Sequence, residues 1–194
     1  MQAELVLLLP EQDSRKRSRG SVYTVILHDE DSEKQHNLFA SFLRKANAWK
    51  HKRCAPQLRE ILLLLDRAHS LGTKEFAFRS EGKAFALPLQ RKGEWVDDLP
   101  SDLQGSAESL SGLDALRLYC CICSGNLILF DGNVKCKNTV AEEGSNVQAE
   151  FNQATRLTLI LEELSKSGKL RNTAQTGRLD LNHLGRFEVK TERT

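Results

Sequence analysis

The stretch LRLYCCICSGNLILFDGNVKCKNT, residues 116–139, gathers four of the chain's five cysteines with the cations Arg117, Lys135 and Lys137. Two chemistries compete for it: sulfur as a metal ligand or redox thiol, and fixed positive charge holding a phosphate. Structural zinc takes four Cys or His ligands, commonly in Cys-x-x-Cys pairs whose turn brings both sulfurs to one ion. Here a single residue separates Cys121 from Cys123 on a predicted strand. Strand geometry then sets the two sulfurs on one face about 7 Å apart, with Cys120 on the other face. Cys136 has no neighbouring His or Cys to complete a set of four. A reactive thiolate needs a base or cation beside it, and alternation turns Cys136 away from Lys135 and Lys137. The cysteines read as small core residues, and no metal or other cofactor is expected.

The cations remain. Alternation places Arg117, Tyr119, Cys121 and Cys123 on one face of their strand and Leu116, Leu118, Cys120 and Ile122 on the other. Lys135 and Lys137 share a face. With 116–123, 126–131 and 134–138 as neighbouring strands, one sheet carries Arg117, Lys135 and Lys137, with Arg79 beside them. Such a surface suits a phosphodiester, because fixed cations stabilise charge that accumulates on phosphate. A solvated sheet face with scattered lysines fits the same pattern.

These residues must be held by the surrounding elements. SVYTVILHD is rich in β-branched residues and predicts a strand ending near Asp29. In DSEKQHNLFASFLRKANAW the period changes, and Leu38, Phe39, Phe42, Leu43 and Ala46 fall at helical spacing behind a cap at Asp31 or Ser32. A second helix runs from about Pro56 to Gly72, where glycine supplies the left-handed end. KEFAFRS and KAFALPL flank Glu81-Gly82 as a strand pair. Around the cysteines, SGN and DGN each read as turns. A last helix, roughly Val147 to Ser167, carries Phe151, Ala154, Leu157, Ile160, Leu161 and Leu164 on one face and closes at Gly168.

The 194 residues suffice for one well-buried domain. A hydrophobic fraction of 40% and a charged fraction of 28% exclude a disordered chain. The net charge of +2 gives no global attraction for nucleic acid, so any such binding rests on local clusters. An odd number of bunched cysteines is unlike a secreted disulfide framework. No apolar run approaches a membrane span, and LVLLLP lacks the flanks of a signal peptide, so a cytoplasmic protein is expected. Residues 1–21, with four cations between Arg15 and Arg19, read as a flexible basic arm. Residues 22–168 read as the domain, 90–114 as an insertion within it, and 169–194 as a C-terminal extension.

LRLYC followed by NLILFDGNVKCKNT and a helix containing Ala and Leu resembles the RelE/HigB-like type II toxin superfamily, in which an Arg-leading strand, an apolar strand, a glycine turn and a Lys-rich strand precede a helix. LREILLLLDRAHSLGTKEFAFRSEGKAFALPL, a helix ending in glycine ahead of a strand, is similar to that family too. The resemblance spans roughly residues 22–167. It implies an α+β fold with an N-terminal strand and two helices packed on an antiparallel β-meander, then a C-terminal helix. It also implies a metal-independent endoribonuclease that cleaves mRNA, usually on the ribosome, and is silenced by a bound antitoxin protein. The chemistry is attack of a ribose 2′-hydroxyl on the adjacent phosphate. The resemblance assigns phosphate holding to Arg117, charge donation and base duty to Lys135 and Lys137, and base stacking or orientation to Tyr119; Arg79, beside them on the sheet, is expected to be an RNA contact with Tyr119.

The chain is longer than a minimal member, and the catalytic residues that some relatives carry near the C-terminus have no clear counterpart, His183 and Arg186 being the nearest. Two other readings stand beside the toxin: a non-catalytic module of the same fold that binds RNA or protein, and an enzyme using the cysteines with a metal. The sequence leaves oligomeric state open.

Overall fold

The computed structural model describes residues 1–8, 20–29, 34–48, 54–75, 78–87, 115–135, 147–173 and 177–189. The chain forms a mixed α+β fold around one sheet of eight strands, mostly antiparallel, with helices on both sides. Strand β1 (Gln2–Leu7) pairs along its whole length with β2 (Val22–His28), from Gln2 opposite His28 to Leu7 opposite Tyr23. The start of the expected flexible arm is therefore strand. Ala3 and Leu5 alternate into the core while the backbone bonds to β2, which no free arm can match. Arg15–Arg19 lie outside the described residues.

The other edge of β2 is shared. Val22 to Thr24 pair in parallel with β7 (Asn126–Lys135), while Ile26 to His28 pair with the short β3 (Gln35–Asn37). Beyond Thr24 the strands part, and helix α1 (Leu38–Ala48) starts in the opening. Its cap is Asn37 rather than Asp31 or Ser32. The Asn37 Oδ1 accepts from Ala40 N at 2.9 Å, and the Thr24 hydroxyl of the neighbouring strand accepts from Phe39 N at 3.2 Å. Two amides of the first turn are thus satisfied inside the sheet.

Helix α2 (Cys54–Leu71) ends at Gly72 with φ 90°, as its sequence predicts. Strands β4 (Arg79–Glu81), β5 (Ala84–Leu87), β6 (Ala115–Cys123) and β7 then run as the expected antiparallel meander. The 90–114 insertion lies outside the described residues. Between β6 and β7, Ser124 and Gly125 both take positive φ, 51° and 79°, which suits a tight hairpin between right-twisted strands.

The second expected turn is absent. Asp131-Gly132-Asn133 lies within β7, where Phe130 and Asp131 stand opposite the single residue Tyr119 of β6 between the Leu118–Gly132 and Cys120–Leu129 pairs. This is a β-bulge, so the strands expected at 126–131 and 134–138 are one bent strand through Lys135. Gly132 is required there by proximity. A Cβ at this position would lie 1.9 Å from the Arg117 carbonyl oxygen.

Alternation sorts the core as the sequence predicts. On one face Tyr119, Cys121, Ile128 and Phe130 pack under helix α3 (Gln148–Lys166) through Ala154, Leu157 and Leu161. On the other, Leu116, Leu118, Cys120, Leu127 and Leu129 meet Phe42 and Ala46 of α1 and Ile61, Leu65 and Ala68 of α2. Each such large side chain taken from water contributes about 1.5–3 kcal/mol.

The C-terminal extension joins the domain as well. Leu170, Leu179, Phe187 and Val189 enter the core under α3, the buried Tyr23 hydroxyl accepts from Leu179 N at 2.9 Å, and β8 (Phe187–Glu188) adds to β1 after the single-turn helix α4 (Leu181–Leu184). Among the described residues no helix is long and apolar enough to cross a membrane.

Gly132→Ala is expected to cost about 3 kcal/mol, because the clash is with backbone and the two strands must separate. Gly125→Ala, which meets no atom within 4 Å, carries only the left-handed penalty of about 1–2 kcal/mol. Urea denaturation of both variants measures the difference.

Candidate functional site

The register brings the expected cations partly together. Arg117 is opposite Asn133, and Lys135 is opposite Ala115, so both sit on the α3 side of the β6–β7 pair. Arg79 is opposite Ala86, which is opposite Tyr119, and belongs to that side too. Arg79 and Lys135 are placed by register alone, and Lys137 and Cys136 lie outside the described residues.

Around Arg117 and Tyr119 this face is not an open surface, because α3 covers it there. The Arg117 side chain is only 11% exposed, its Nε lies 3.5 Å from Glu81 Oε1, and its Nη1 donates to the Leu116 carbonyl at 2.9 Å. Tyr119 is fully buried with its ring edge-on to Phe151, the centroids 5.9 Å apart at 62°. The expectation that Tyr119 stacks on a nucleobase is corrected by this burial, since no base reaches a ring enclosed between sheet and helix. Burial, and then the charge of Glu81, push its phenol well above the ordinary tyrosine range. It is therefore a neutral hydroxyl at ordinary pH.

The structure assembles a polar cluster that sequence reasoning missed. Lys45, near the end of α1, places Nζ 2.9 Å from Asp131 Oδ2 and 2.6 Å from Glu150 Oε1. Both carboxylate side chains are 10% exposed, and the lysine is 33% exposed. Asn133 Nδ2 also donates to Glu150 Oε1 at 3.3 Å, and the other Asp131 oxygen accepts from Gly132 N at 2.7 Å. The buried Glu150 Oε2 finds no hydrogen-bond donor among the described residues.

Burial works against the charge on Lys45, but the hydrogen bonds and charges of Glu150 and Asp131 outweigh it and hold the ammonium above its ordinary range. A lysine held this way is a poor proton acceptor. The arrangement is a clamp joining α1, the bulge and the first turn of α3.

Its signal in the sequence was faint but present. Lys45 stands at the spacing of Leu38 and Phe42 on the inward stripe of α1, and Glu150 precedes Ala154, Leu157 and Leu161 on the inward stripe of α3. A charge in an apolar stripe announces a buried partner. Asp131 gave no such sign, because its turn-like neighbours disguised a bulge.

Cys120, Cys121 and Cys123 are free, buried thiols packed in the two cores, and burial pushes all three up. Among the described residues no three His, Cys, Asp or Glu side chains group as a metal site. Arg186 lies 3.5 Å from Glu4, and His183 is exposed on α4.

Comparison of the chain with protein-family models, with curated proteins and with solved structures finds no match. Its class is the mixed α+β fold that its own sheet defines.

Two measurements follow from these environments. A raised ammonium value in the folded state means that the clamp's contribution is complete below the unfolded-chain value, near 10.5, and is lost as pH climbs through the folded one. Lys45→Met is expected to cost about 2 kcal/mol near neutrality by stranding two carboxylates, and to remove part of the alkaline loss of stability seen in denaturation curves above pH 10.5. In a Cys54→Ser/Cys136→Ser background, the three remaining thiols should react with a disulfide reagent only as fast as the protein unfolds.

Proposed function

We propose that this chain is a non-catalytic protein-binding module. The observation that carries the reading is a division of residues. Two described cations at the sheet are committed to carboxylates, Arg117 to Glu81 and Lys45 to Asp131 and Glu150. Of the four large apolar side chains left in water among the described residues, Leu62 (44% exposed), Leu63 (36%) and Leu71 (49%) lie on helix α2, and Leu159 (46%) lies on α3. Leu62 and Leu63 are adjacent on α2 with the exposed Arg59, Asp66 and Arg67 around them, and an exposed apolar pair rimmed by charge suits a protein docking face. In transition-state stabilisation a fixed cation must point where charge develops, and an arginine enclosed beneath α3 and matched to a carboxylate does not meet that condition.

The RelE/HigB-like endoribonuclease, silenced by an antitoxin, is the second reading. It is favoured by the register that aligns Arg79, Arg117 and Lys135 on one side of the sheet.

Expression of the chain alone, with transcript mapping and growth measurement, separates the two. The binding module leaves growth and transcript ends unchanged. Growth arrest with new transcript ends, relieved by Arg117→Ala or Lys135→Ala/Lys137→Ala, would establish the ribonuclease instead.

A further inference from the structure

We draw no further inference here: the strongest candidate, the exposed Leu62–Leu63 pair on the outer face of helix α2, belongs to the docking face already described, and nothing in the structure shows what covers it.

Discussion

The bulge at Phe130-Asp131, closed by Gly132, is the constraint on which the rest of the architecture depends. Strand β7 carries one residue more than β6 between two paired positions, and only a residue without a side chain fits where the Arg117 carbonyl presses against it. The extra residue follows the short parallel run of β7 with β2, and the first turn of α1 is bonded to Thr24 and Asn37 where that run ends. Asp131 meets Lys45 there, and Lys45 also reaches Glu150 in the first turn of α3. One backbone irregularity thereby sets the positions of helices on opposite faces of the sheet.

The clamp at the bulge also shows why charged residues inside a protein are weak evidence of chemistry. Lys45, Asp131, Glu150, Arg117 and Glu81 form a dense group of ionisable side chains, which at first sight resembles an active site. Their geometry is that of mutual pairing, with one ammonium shared between two carboxylates and a guanidinium beside a third. Breaking a buried pair costs more than forming it gains, so such a cluster fixes helix positions with little net contribution to stability. The cysteines behave in the same spirit. Burial keeps their thiols protonated, and they serve as small packing units between strands and helices.

The elements themselves were largely legible in the sequence. The second and last helices, their glycine ends, the β4–β7 meander, the hairpin at Ser124-Gly125 and the division of Leu116 to Cys123 between two faces all follow from local periodicity and turn chemistry. Three positions were misread for a common reason. Gln2 to Leu7 lacks enough local pattern to distinguish a strand from an arm, and its place is fixed by β2 and β8. Asp131-Gly132-Asn133 has the composition of a turn, and only its partner strand makes it a bulge. Leu170, Leu179 and Phe187 are too widely spaced to suggest a core, and become one only when the sheet and α3 enclose them.

The sequence by itself determined which face of each strand and helix is apolar, because side-chain alternation and helical period are local properties of the chain. It also determined that the cysteines pair with no obvious ligand set. Tertiary structure alone decided whether a given face is open or covered, and that choice governs the chemistry available. Arg117 and Tyr119 share a face just as alternation requires, yet α3 lies over that face and Glu81 lies beside the arginine. Periodicity states where a side chain points relative to its own backbone. What it meets there depends on contacts between residues far apart in the chain, as when Lys45 meets Asp131 and Glu150.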